Sequence, residues 1–164
     1  MPNPASFFGQ GELISQSLTV FVDPATGAEN VVTSSQPLPV TMPTNVDTAA
    51  LINAVGATTT QTSADQTNPN SMGLIAVLNM ATVGTGSVTL TIQGKDVASG
   101  QYYTLLTGLA VTTNSVNVYT VYPGAPVVAN VSTGLPLPHI WRVSVNANNA
   151  NATTYTVGAS VIVG

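Results

Sequence analysis

Hydrophobic and polar positions follow one rule after residue 73 and a different one before it. In the later stretch, Val88, Leu90 and Ile92 alternate with Thr89, Thr91 and Gln93. That period of two sends one set to a core and the other to water. Trp141, Val143 and Val145 share a face, and so do Tyr155, Val157, Ala159, Val161 and Val163. Leu74 to Met80 is a near-continuous apolar run, as expected of a strand covered on both faces. Tyr102 to Leu106, Val116 to Tyr122 and Ile140 to Val145 read as further strands. Residues 84–86, 98–100, 113–114 and 146–151 supply Gly, Ser and Asn for the turns. Strands at this spacing, rich in β-branched residues and without a helix between them, predict an all-β domain over residues 73–164. The class is an antiparallel β-sandwich or jelly roll.

Residues 1–72 read as an N-terminal arm. Leu18, Val20 and Val22 alternate with Ser17, Thr19 and Phe21 and predict a strand within Leu13 to Val22. Asp23-Pro24-Ala25-Thr26-Gly27 is turn chemistry, and Val31 to Thr33 is the expected return strand. Pro37, Pro39 and Pro43 punctuate the next segment. A proline lacks the N–H that a central strand must donate, so this segment is expected as extended chain on a surface. Asp47 to Val55 is the one expected helix, with Asp47 as cap, Leu51, Ile52 and Val55 as its apolar stripe and Gly56 as its stop. So short a helix needs a docking partner. Residues 58–71 hold no apolar side chain larger than Ala and are expected to be a linker or surface loop.

Charge narrows the function classes. Charged residues make up only 5% of the 164, with two basic and six acidic side chains and a net charge of −4. Hydrophobic content is an ordinary 44%, so a real core is available. Lys95 and Arg142 are the only cations. Too few phosphates could be neutralised for nucleic-acid binding, or for docking on an anionic membrane. Without cysteine there is no disulfide framework, thiolate nucleophile or cysteine metal site. Met1-Pro2-Asn3-Pro4 lacks the basic start and apolar run of a signal peptide, so synthesis in a cytoplasm is expected.

Catalytic chemistry is equally thin. His139 is the single histidine and lies at a strand entrance. No nucleophile-elbow sequence accompanies it. Glu12, Asp23, Glu29, Asp47 and Asp65 show no metal-ligand spacing. Gly84-x-Gly86 joins two strands and opens no helix, so it is not a phosphate loop. No enzyme activity and no cofactor are expected. Trp141, Tyr102, Tyr103, Tyr119, Tyr122 and Tyr155 are either core or a sugar-stacking platform. Lys95 beside Asp96 reads as an exposed pair at a hairpin turn. Edge strands usually carry Lys or inward charges as protection against pairing. This chain is nearly without them, so its edges are expected to be covered by neighbouring chains.

The stretch from Val88 through Gln93-Gly-Lys-Asp96 to Tyr102-Tyr-Thr-Leu-Leu106, with Val118-Tyr-Thr-Val-Tyr-Pro-Gly124, Pro138-His-Ile-Trp-Arg-Val-Ser-Val145 and Tyr155-Thr-Val-Gly-Ala-Ser-Val-Ile162, resembles small β-sandwich virion proteins of tailed bacteriophages. These include head decoration, or cement, proteins. The resemblance covers a little over half of the chain and describes a fold more than a site. It implies a non-enzymatic, homotrimeric capsid protein on the outside of the head shell, made in the host bacterial cytoplasm, with the major capsid protein as partner. The expected contacts to shell or neighbouring subunits are Leu18, Val20, Val22, Pro37, Leu38, Pro39, Val40, Leu51, Ile52 and Val55. A tail or baseplate structural protein and a carbohydrate-binding host-attachment module are the alternatives.

Overall fold

The computed structural model describes the backbone of residues 20–22, 29–31 and 46–163, with side chains from residue 50 onward. The chain divides into two compact units, residues 1–42 and 43–164. In the first, β1 (Val20–Val22) and β2 (Glu29–Val31) pair antiparallel, with Val20 opposite Val31 and Val22 opposite Glu29. The expected hairpin is present, and its return strand begins two residues earlier than the apolar pattern indicated.

The second unit is all-β, and no helix occurs among the described residues. Its strands are β3 (Val46–Ala57), β4 (Gln61–Thr62), β5 (Gln66–Thr67), β6 (Ser71–Thr82), β7 (Val88–Lys95), β8 (Tyr102–Thr107), β9 (Ser115–Val121), β10 (Ser132–Thr133), β11 (Ile140–Ala147) and β12 (Thr153–Val163). One sheet has the order β10-β9-β6-β12-β3. The other has the order β4-β11-β7-β8, with β5 also on β11. All pairings are antiparallel except the short β10–β9 contact.

The inward rows of both sheets form one core. Leu74, Ala76, Leu78 and Met80 of β6 face it with Val157 and Tyr155 of β12, and Leu90, Ile92, Trp141, Val143 and Val145 enter from the second sheet. The arrangement is sandwich-like, and the alternation of two that predicted the strands also selects the buried set. At one end of the core, Gly94 stands opposite Tyr103. A Cβ on Gly94 would lie 2.6 Å from the Tyr103 ring and 2.8 Å from Pro138, so only glycine lets that ring lie on the strand.

Three expectations need correction. Asp47 to Val55 is not a helix: it lies within β3, paired along β12. Ile52 and Ala54 face the core while Val55 faces outward, the strand alternation rather than a helical stripe. The alanines favour a helix locally, but pairing of the twelve-residue β3 along β12 outweighs that preference. Residues 58–71 are not a linker. Ser63 N–H donates to the Val143 carbonyl at 2.9 Å, Val143 N–H donates to Ser63 Oγ at 3.1 Å, and the Thr62 and Ser144 hydroxyls bond at 3.0 Å. A sheet margin needs hydrogen bonds, not apolar bulk, so hydroxyl residues suffice there. The division expected at residue 72 therefore falls instead between residues 42 and 43.

Candidate assembly surface

The run Leu74 to Met80 explains the most exposed feature of the fold. A strand that is apolar on both sides should be covered on both sides, but this unit has a single core. Ile75 and Val77 are turned away from it and are only half-buried. On β9, Val118 stands opposite Val77 and Val116 opposite Asn79. Both valines project outward, 50% and 64% exposed. On the other flank, Gly158 of β12 lies opposite Val77, with open space where a Cβ would be. The outer face of this sheet thus carries an apolar patch of Ile75, Val77, Val116 and Val118.

The patch continues past the sheet margin. β10 meets β9 only at Thr120 and Val121. Among the described strands, none pairs with the rest of that side of β9. A groove of ≈ 400 Å³ lies there, lined by Leu109, Val116, Val118 and Val131 together with Thr113, Ser115, Asn117 and Asn130. Among the described residues, seven of the eleven exposed large hydrophobic side chains fall between Leu109 and Leu135. A contiguous apolar patch is a candidate interaction surface, whereas single exposed hydrophobic residues are ordinary. A second open margin is β3, whose only neighbour among the described strands is β12.

The expected contact residues are distributed differently. Ile52 belongs to the core, and Leu51 packs partly against it, so neither is available to a partner as a helix stripe. Val55 is exposed on the β3 margin. Val20 and Val22 lie on β1. Leu18, Pro37, Leu38, Pro39 and Val40 lie outside the described residues. Leu109, Val116, Val118 and Val131, which the strand pattern alone did not single out, are exposed apolar side chains. The signal was available in the Leu74 to Met80 run, whose second apolar face demanded a cover.

The chemistry-bearing groups have structural partners. His139 is exposed just before β11, its Nδ1–H donating to the Asn68 carbonyl at 2.9 Å. Asn68 itself is buried, with Nδ2 donating to the carbonyls of Ser71 and Leu137 and Oδ1 accepting from Ser71 N–H. Asp96 does not pair with Lys95. It accepts from Ser99 and from the amides of Ala98 and Ser99, and the Ser99 hydroxyl is the main cause of its lowered pKa. Lys95 instead donates to Asp65 at 2.8 Å. The Asp65 carboxyl is held below its usual range first by that bond and then by the Tyr102 hydroxyl. Burial raises the phenol pKa of Tyr119, and that of Tyr155 to about 12. Trp141 and Tyr155 are core side chains, 1% exposed, and Tyr119 is buried too, so the aromatics do not form one surface platform. Tyr103 is exposed at the sheet end.

Among the described residues, no three His, Cys, Asp or Glu side chains lie together as a metal site. Among the described residues, no helix is long and apolar enough to cross a membrane. Comparison with protein-family models, curated proteins and solved structures finds no match.

Proposed function

We propose that this chain is a non-enzymatic virion structural protein that self-associates, as a homotrimer, and decorates a phage head shell by binding its major capsid protein. The observation that carries this reading is the outer apolar patch of Ile75, Val77, Val116 and Val118. Fully burying a valine side chain contributes roughly 1.5–3 kcal/mol, so leaving this face in water is unfavourable. A lattice of subunits would cover it.

The strand order supports a more specific fold reading. Taking β4 and β5 together and numbering the strands β3, β4/β5, β6, β7, β8, β9, β11 and β12 from first to eighth, one sheet runs sixth-third-eighth-first. The other runs second-seventh-fourth-fifth. We read this as a jelly roll, an architecture common in viral capsid and lectin domains. The resemblance of residues 88–162 to phage virion proteins favours the capsid use.

Co-purification with a major capsid protein in fixed stoichiometry, followed by cryo-microscopy of the particle, tests the proposal. Density on the head lattice is the expected result. Density at the tail assigns the chain to the tail or baseplate, and absence from particles overturns the virion role. For the lectin alternative, Tyr103→Ala is the usable probe on a glycan array, because Trp141→Ala would empty the core.

A further inference from the structure

We propose that Arg142, framed by Gln93 and Tyr102 on the outer face of the β4-β11-β7-β8 sheet, is a binding site for a single carboxylate group. The inference is independent of the assembly role and concerns the opposite face of the fold.

Both cations of the chain meet at one ring. Arg142 Cζ lies 3.3 Å from the Tyr102 ring centroid, and Lys95 Nζ lies 5.2 Å from it. The two cations differ in their partners. Lys95 donates to Asp65 Oδ2 at 2.8 Å, and the Tyr102 hydroxyl donates to Asp65 Oδ1 at 2.7 Å. Both oxygens of the one nearby acid are therefore engaged. Arg142 makes its direct contacts to neutral groups: its Nε donates to Gln93 Oε1 at 2.8 Å and its plane is stacked on the ring, while its charge acts on Asp65 only weakly and without a hydrogen bond. Among the described residues, no acceptor meets either Nη.

A guanidinium carries five N–H donors in a rigid fork that matches a carboxylate. Here one donor is used and the fork is held in place by the stack and the Gln93 bond. Holding it in advance removes part of the ordering cost of binding. Tyr102, by donating to the Asp65 carboxylate, presents a more electron-rich ring to the cation, which strengthens the stack. Pinning residues 63–67 to the sheet does not require Arg142, since Asp65, Lys95 and Tyr102 make that contact without it.

Charge selects the ligand. Two cations and one acid leave the cluster one unit positive on a chain whose net charge is −4. One carboxylate neutralises it, whereas a phosphate dianion would leave excess negative charge beside Asp65. A neutral sugar gains little, because the guanidinium already occupies a face of the Tyr102 ring. The carboxylate could belong to an acidic sugar or to an acidic side chain of a protein.

Arg142 is the only arginine, so its Nε–H gives a single resonance in the full-length protein. Titration with sodium D-glucuronate, with N-acetyl-aspartate amide and with D-glucose is the test. A saturable shift of the Nε–H and the Tyr102 ring signals is expected with the carboxylates, half-complete at ~1–10 mM as suits a single contact, and none with glucose. The tighter of the two acids identifies the source. Arg142→Gln should abolish the Tyr102 shift while leaving the thermal midpoint nearly unchanged. Arg142→Lys, which keeps charge but loses the fork, should abolish saturation as well. Non-saturating shifts, an equal response to glucose, or undiminished binding by Arg142→Lys would overturn the proposal.

Discussion

The two sheets present opposite outer faces to their surroundings. On the β4-β11-β7-β8 sheet, the outward row bonds to itself. Arg142 donates to Gln93, Asn146 Nδ2 reaches Thr91 Oγ1 at 3.4 Å, and Asn148 Nδ2 donates to Thr89 Oγ1 at 3.0 Å. On the β10-β9-β6-β12-β3 sheet, the outward row holds Ile75, Val77, Val116 and Val118, and no described strand pairs with the outer margin of β3 or with most of that of β9. A chain with 5% charged residues cannot protect both faces with charge. It protects one with amide and hydroxyl ladders and leaves the other as hydrocarbon. In this fold, the outward side chains of one sheet are largely polar and hydrogen-bonded, and those of the other expose hydrocarbon.

The largest effect that could break this contrast is loss of assembly. If the proposed homotrimer forms through the patch, Val116→Lys combined with Val118→Lys should leave a monomer in light scattering whose fold is intact, as usual for exposed positions. Thr89→Lys and Asn146→Lys on the opposite face should leave the oligomer intact. Equal loss from both pairs would show that overall charge, not the patch, governs association. Next comes the shared core. Trp141→Ala should cost about 3–5 kcal/mol in urea unfolding. Trp141→Phe should cost much less, because the buried Trp141 Nε1 has no hydrogen-bond partner and its removal relieves an unsatisfied donor.

Gly94→Ala should destabilise by about 1–3 kcal/mol through overpacking against Tyr103. Adding Tyr103→Ala should recover part of that loss in a double-mutant cycle, since the clash with the ring disappears while the one with Pro138 at 2.8 Å stays. The smallest effect is the titration of the polar face. Asp65 is depressed, mainly by Lys95, so its contribution is full above its ordinary value of 3.8 and is lost as pH falls through its lower folded value. Lys95 is raised, mainly by Asp65, so its contribution is full below 10.5 and is lost as pH rises further. Asp65→Asn should flatten the acid limb without altering the oligomer. Tyr155 adds an alkaline limb on either background: its phenol, held at about 12 by burial, favours the folded state less and less as pH climbs from 10.

Most strands after residue 73 were legible because a period of two has a local cause, the pleat that turns successive side chains to opposite faces. Residues 46–67 were misread for a common reason. A helix over Asp47 to Val55 satisfies local propensity and capping, and a polar run such as Thr58 to Thr67 satisfies the composition of a linker. Both segments in fact border a sheet, where the deciding energy is a backbone ladder to a strand about a hundred residues away for β3 and about eighty for β4. Composition does not report such a ladder. The pairing of Lys95 was misread in the same way: Asp96 is its chain neighbour, but Asp65 lies across the sheet.

Residue order alone determined the all-β class, the inward rows of the core strands and the scarcity of charge, because these follow from neighbouring residues and counts. Tertiary structure alone decided which face is left apolar, which margins stay open and which acid meets the lysine. Those properties depend on strand order and register, which arise when distant segments meet and one common core admits a single set of faces.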